Sequence, residues 1–288
     1  MTVAEDDKHD QRAATAADCL VNGRWGADIP ATDRGLLYGD GLFETIAFHR
    51  GVSRLWPLHM QRLNDGCRHL AIEVPDIALL AAECAMLVEG LERAVVRITI
   101  TRGSGGRAYF PPVGAAPNRI LMRRQWPDGL ELQRARGIAM ITSSIPLHPR
   151  HPQGLKHLNR LEQVLIAQEC ERHAADEALV LDGGSAIVEA LTGNIVIVRK
   201  GRLIAPGPHP AAVAGVGLEW LRARAGQALQ ERPFLHQELQ TADSIWVINS
   251  VTGLRPAATL DGRALPSSDA LAEWQQTWLE DNENVCKE

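Results

Sequence analysis

Lys156 stands in the run Gly154-Leu155-Lys156-His157-Leu158-Asn159-Arg160-Leu161-Glu162-Gln163-Val164-Leu165, at the entrance to an amphipathic pattern. An amine held there can condense with an aldehyde if desolvation or a neighbouring cation keeps it neutral. The plainer alternative is a solvated lysine, since most lysines are exposed and a cation is mildly unfavourable at a helix N-terminus. Arg62, in His59-x-x-Arg62-Leu63, falls beside the apolar face of a predicted helix. A guanidinium fixed there can grip a phosphate bidentately, although an arginine snorkelling over the core edge has the same pattern. Glu189 precedes a Val/Ile-rich strand, with Asn194 placed to orient it. Its carboxylate could keep a ring nitrogen protonated so that the ring accepts electrons; otherwise it is a solvated loop glutamate.

Three weaker signals accompany these. Ala214-Gly215-Val216-Gly217-Leu218 precedes a helical pattern, so backbone N–H groups at Val216 and Gly217 are free to meet an anion. Asn249-Ser250-Val251-Thr252-Gly253 follows a strand and offers the Ser250 hydroxyl. The glycine-rich Arg102-Gly103-Ser104-Gly105-Gly106-Arg107-Ala108-Tyr109 has no Gly-Lys-Ser/Thr ending and opens no helix, which speaks against a nucleotide cradle. It reads either as a loop presenting Arg107 and Tyr109 to an anionic substrate or as a plain surface hairpin. His148, His151 and His157 lie near Lys156, but their spacing across Pro149 and Pro152 suits no metal site, and no metal is expected.

The elements that must position these residues follow from periodicity. Met60, Leu63, Cys67 and Leu70 predict a helix over 59–71, and Leu80, Ala81, Cys84, Leu87 and Val88 predict another over 77–91. Val95 to Thr101 alternates, with Val96, Ile98 and Ile100 inward and Arg97, Thr99 and Thr101 outward, as a half-buried strand does. A first α/β domain then spans 19–125, and the turn-rich Gln125-Trp126-Pro127-Asp128-Gly129 opens a linker over 126–136. Beyond it, short strands are expected over 137–142, 178–182, 194–199, 203–205 and 244–248, with helices near 158–173 and 215–228. In the first of these helices Leu161, Val164, Leu165 and Ile166 should pack one side inward. The second domain, 137–288, is therefore β-rich, while residues 1–18 carry no apolar periodicity and read as a disordered extension.

At 288 residues, 45% hydrophobic and 23% charged, the chain can bury two cores. A net charge of -5 with dispersed basic residues gives no footprint for nucleic acid. Five widely separated cysteines without a C-x-x-C pair read as reduced thiols, and no 18-residue uncharged run or leader pattern occurs, so a cytoplasmic protein without a membrane span is expected.

In this order, the motifs resemble the fold-type IV pyridoxal-phosphate enzymes, the group of branched-chain aminotransferase, D-amino acid aminotransferase and 4-amino-4-deoxychorismate lyase. The resemblance runs from about Val21 to Pro256 and includes Asp33-Arg34-Gly35 and Tyr38-Gly39-Asp40-Gly41-Leu42-Phe43-Glu44-Thr45. It implies an α/β (α+β) subunit of two domains, the smaller N-terminal one α/β and the larger C-terminal one a β-rich pseudo-barrel with helices. It also implies pyridoxal 5'-phosphate (PLP) between the domains and a homodimer whose partner helps close the site. Lys156 would form the internal aldimine, Arg62 would bind the phosphate, and Glu189 would face the pyridine nitrogen. Backbone at Val216 and Gly217, with Ser250, would complete the phosphate cup. Lys156 to Val164, with Arg102 to Tyr109 ahead of it, is most similar to the lyase branch, which implies cleavage of aminodeoxychorismate to 4-aminobenzoate and pyruvate in folate biosynthesis. A D-amino acid or branched-chain aminotransferase and a non-catalytic cofactor-binding protein are the alternatives.

Overall fold

The computed structural model describes residues 18–149, 153–266 and 271–283. The extension expected over 1–18 lies outside these residues save for Asp18, as do His151 and Cys286. Among the described residues the strands form two sheets. The first joins β1 (Cys19–Val21), β2 (Arg24–Trp25), β3 (Gly41–His49), β4 (Arg93–Thr101) and β5 (Asn118–Arg124) in the order β2-β1-β5-β4-β3. A short helix α1 (Arg34–Tyr38) precedes β3, and α2 (Trp56–His69) and α3 (Ile77–Val88) cover one face of the sheet. Their apolar stripes bury Met60, Leu63, Cys67, Leu80, Cys84 and Leu87 against Ile46, Val96, Ile98 and Leu121. The helical and alternating periods of the sequence thus meet in one core.

Residues 130–136, expected within a linker, instead form α4 (Leu130–Arg136). Its Leu130 is fully buried, and Arg134 donates to the Thr252 carbonyl while pairing with Glu283, so the turn signal at 125–129 ends at Gly129. The second sheet is built from β6 (Ile138–Thr142), β7 (Glu177–Leu181), β8 (Ile187–Ala190), β9 (Asn194–Arg199), β10 (Arg202–Ala205), β11 (Leu229–Glu231), β12 (Ser244–Asn249) and β13 (Gly253–Leu260), with β14 (Arg263–Ala264) on β13. Its order is β11-β10-β9-β12-β13-β6-β7-β8, and a tight turn from β8 to β9 closes with the Ala190 N–H on the Gly193 carbonyl at 2.8 Å. The path from β9 to β8 therefore curls back on itself in the manner of a barrel. Both faces of these strands are covered, so they read as nearly continuous apolar runs. Ile138, Leu179, Ile195, Ile197, Val247 and Phe234 fill the inside, while α6 (Val216–Ala225) and α7 (Ala272–Asn282) pack outside through Trp220, Leu221 and Trp278.

The helix after Lys156 departs from expectation. α5 (Leu161–Arg172) buries Ile166 and Cys170, whereas Leu161, Val164 and Leu165 are 69%, 52% and 40% exposed. The reason is local: residues 156–158 are tied to β3, which delays the helix and turns its first apolar residues outward. The four described cysteines are free thiols, and among the described residues no helix is long and apolar enough to cross a membrane.

Candidate functional site

β3 holds the lysine segment in an extended form. The Phe43 N–H donates to the Lys156 carbonyl at 2.9 Å, and the Leu158 N–H donates to the Gly41 carbonyl at 3.1 Å. The Lys156 side chain then crosses Phe43, with Nζ 4.4 Å from the ring centroid. Desolvation is the largest influence on this amine, and Arg62 and Arg160 add to it against the opposing charges of Glu44 and Glu189. The result is an amine lowered to about 7, neutral in a large fraction at physiological pH.

Beside it, β3 and α2 share a buried polar cluster. Arg62 donates from Nε to Glu44 Oε1 at 2.8 Å and from Nη2 to Glu44 Oε2, and its Nη1 reaches the Ala214 carbonyl at 2.7 Å. His59 Nδ1 donates to the same Glu44 carboxylate at 2.6 Å. Burial alone would raise the Glu44 carboxyl, but Arg62 and His59 overcome it and leave the group down at about 2. The guanidinium of Arg62 is thereby fixed rather than snorkelling.

Glu189 lies on β8, buried. Burial pushes its carboxyl up to about 7, with the Val213 N–H, Arg160 and Lys156 opposing the shift and Glu177 behind it adding to it. Its Oε2 accepts from the Val213 N–H at 2.9 Å. Asn194 does not orient this carboxylate directly, because its Nδ2 donates to the Val213 carbonyl at 3.2 Å. It acts through the Val213 peptide, gripped by Glu189 on one edge and Asn194 on the other.

The N-terminus of α6 and the turn after β12 meet through one glycine. A Cβ on Gly217 would lie 3.0 Å from the Asn249 carbonyl carbon, so glycine lets the helix end sit this close to β12 without pushing it away. The first turn of α6, whose N–H groups have no partner within the helix, therefore adjoins the turn that carries Ser250, and Ser250 Oγ donates to the Thr45 carbonyl at 3.2 Å.

Two cations of the site have no role assigned from the sequence, although Arg160 lies within the Lys156 motif. Arg97 stacks on Phe43 with its guanidinium carbon 3.8 Å from the ring centroid, and Arg160 stands 5.7 Å from the same ring. Burial, Arg124 and Arg160 lower Arg97 to about 10, a sign of a cation set among like charges. Alternation along β4 puts Arg97 on the outward face; that face is turned toward Phe43 and Lys156. An arginine mid-strand beside a glycine-rich loop is the only hint the sequence offers.

A family model for amino-transferase class IV matches residues 41–260. The chain belongs to this family. It is 31% identical over 246 residues to an aminodeoxychorismate lyase of Vibrio harveyi, covering 83% of this chain and 89% of that protein. It is 29% identical to a putative branched-chain-amino-acid aminotransferase of Methanocaldococcus jannaschii, covering 83% and 85%. Among solved structures, 4-amino-4-deoxychorismate lyase from Pseudomonas aeruginosa superposes with a TM-score of 0.85 at 38% identity, covering 91% of this chain and 98% of that one.

As a class IV family member the chain is a PLP-dependent enzyme. Its residues suit that cofactor: a neutral amine for the aldehyde, a buried carboxylate short of a cationic partner for the ring nitrogen, and a fixed guanidinium with helix N–H groups for the phosphate. A cavity of about 560 Å³ between α2 and α6 is lined by Arg62, Leu155, Asn194, Gly215 and Val216.

Arg107 and Tyr109 stand apart from this group. Arg107 lies over Phe110, and the ring of Tyr109, which is 82% exposed, rests 5.6 Å from that of Tyr38. Arg34 holds their loop from beneath, donating to the carbonyls of Gly105, Ala108 and Tyr109, while Asp40 pairs with both Arg34 and Arg102. Gly103, at φ 86°, carries the chain into this loop where a Cβ would strike the Ala116 carbonyl oxygen at 2.2 Å.

Proposed function

We propose that this enzyme cleaves 4-amino-4-deoxychorismate to 4-aminobenzoate and pyruvate. The observation that carries the reading is the set of cations at Phe43. The guanidiniums of Arg97 and Arg160 lie by one aromatic ring beside the Lys156 amine, in addition to the Arg62 assigned to the phosphate. Such a site suits a flat cyclic substrate with two carboxylates better than a branched aliphatic amino acid, which brings one carboxylate and needs an apolar pocket. Similarity to the Vibrio and Pseudomonas lyases supports the same choice.

PLP joined through its aldehyde supplies an electron sink next to the amine-bearing carbon of the substrate. Arg62, the α6 N-terminus and Ser250 would hold its phosphate, and Glu189 would pair with its ring nitrogen. Phe43 packs beside the reacting face, and Arg97 anchors a substrate carboxylate there. The Lys156 amine would take the proton from the amine-bearing ring carbon. The ring C–O bond then breaks, enolpyruvate leaves and takes up a proton to become pyruvate, and the ring becomes aromatic. No bond is oxidised or reduced overall.

A cytoplasmic homodimer completes the proposal. Leu36, Leu37, Tyr109, Phe110, Leu161 and Val164 are exposed on three segments linked by the Tyr38–Tyr109 contact and the Asn159 bond to the Gly39 carbonyl. A second copy covering them would bring the Arg107 loop to a site it does not reach within one chain; sedimentation as a monomer at micromolar concentration would remove this element. For the chemistry, purified protein with PLP should release pyruvate and 4-aminobenzoate in equal amounts from aminodeoxychorismate. Stoichiometric keto-acid-dependent transamination without pyruvate release would instead make it an aminotransferase, the activity named for its Methanocaldococcus relative.

A further inference from the structure

Arg160 breaks a local rule. It is the N-cap of α5, a position that favours Ser, Thr, Asp or Asn; its side chain makes no cap bond, and its charge opposes the helix dipole. Residues that break local rules without a local gain tend to serve a site. Its Nε donates to the His157 carbonyl at 2.9 Å and its Nη2 to the Leu155 carbonyl at 3.0 Å, one on each side of Lys156. Because the Phe43 N–H takes the Lys156 carbonyl, three consecutive carbonyls around the lysine are engaged.

We infer that Arg160 is the positioning residue of Lys156: its fork fixes the peptides from which the amine projects, and its charge stands beside that amine. A planar guanidinium can hold two carbonyls of fixed separation, which one ammonium on a flexible stem cannot. The groups facing the amine are Arg62 and His59 from α2, Glu44 from β3, Glu189 from β8 and Arg160, with Arg97 across the Phe43 ring. Arg160 adds to the desolvation that keeps the amine neutral. The inference rests on reading Lys156 as the residue that joins PLP.

The test uses cofactor-free wild type, Arg160→Met and Arg160→Lys, each shown to be folded by circular dichroism. Trinitrobenzenesulfonate labelling of Lys156 is followed against pH by peptide mass spectrometry, with Lys8, Lys200 and Lys287 as the other lysines to resolve. The rate at which added PLP acquires its protein-bound visible absorbance is the second readout. Wild type should label with a midpoint near 7. Arg160→Met should label with a higher midpoint and capture PLP more slowly at pH 7, by roughly fivefold if the midpoint rises to about 8. Arg160→Lys should keep the wild-type midpoint, because the charge survives, and still capture PLP slowly, because the fork is lost. A folded Arg160→Met protein with the wild-type midpoint and capture rate would overturn the inference. Should that variant not fold, a wild-type capture rate in Arg160→Lys would do the same. Wild type that never develops the absorbance would instead sink the reading of Lys156 itself.

Discussion

Two buried carboxylates flank Lys156, and the fold drives them in opposite directions. Glu44, with Arg62 and His59 against it, is held down at about 2, whereas Glu189, with the Val213 N–H as its one donor among the described residues, is pushed up to about 7. Equal burial with unequal partners separates a finished structural element from an incomplete one. Both Glu44 oxygens are paired before any ligand arrives, and the carboxylate serves to aim Arg62. On the proposed reading, the Glu189 side holds the free energy of a buried acid without a cation in contact among the described residues, which a protonated ring nitrogen lying against it would release.

The sharpest way to break this comparison is Glu189→Gln. Turnover should fall about 10²–10³-fold, since a neutral amide cannot keep the ring nitrogen protonated. Stability should move the other way. Burying an ionised Glu189 costs more as pH rises from its unfolded range near 4.5 toward 7, so the cofactor-free variant at pH 8 should gain roughly 2 kcal/mol in urea unfolding. A loss there would mean that Glu189 is already satisfied. Next, Glu44→Gln should destabilise the protein by about 3 kcal/mol and weaken PLP binding, because Arg62 loses its buried partner. Glu44 is depressed from 4.5, so its stabilisation is present above pH 4.5 and disappears between 4.5 and about 2; the variant should lack that acid-sensitive step in a pH titration of unfolding. The smallest effect belongs to the exposed loop. Arg107→Ala should raise KM about tenfold with kcat little changed, the signature of one lost charge-assisted contact. An equal fall in kcat would move Arg107 into the reacting centre.

The same contrast explains what was legible in the sequence. Arg62, Lys156, Glu189 and the Gly215–Gly217 turn each sit at an element boundary or on a helix face, where spacing constrains chemistry, and the structure brings them together. The roles of Arg97 and Arg160 are not legible in the sequence, because their significance lies in what another strand places opposite them: Phe43 is 54 residues from one and 117 from the other in sequence. The outward-facing Leu161, Val164 and Leu165 depart from expectation for a related reason. Periodicity locates an apolar face but does not say whether it meets its own core or another chain. The helix inside the expected linker, α4, is hidden because its anchors, Thr252 and Glu283, are more than a hundred residues away.

The loop from Gly103 to Phe110 has one more consequence. Exposure and four glycines and serines would mark it for proteolytic nicking. A protease, however, must draw the backbone into an extended strand, and Arg34 occupies three of the carbonyls that would have to let go. The segment that looks most vulnerable is therefore stapled from within, and limited digestion should spare it until Arg34 is replaced.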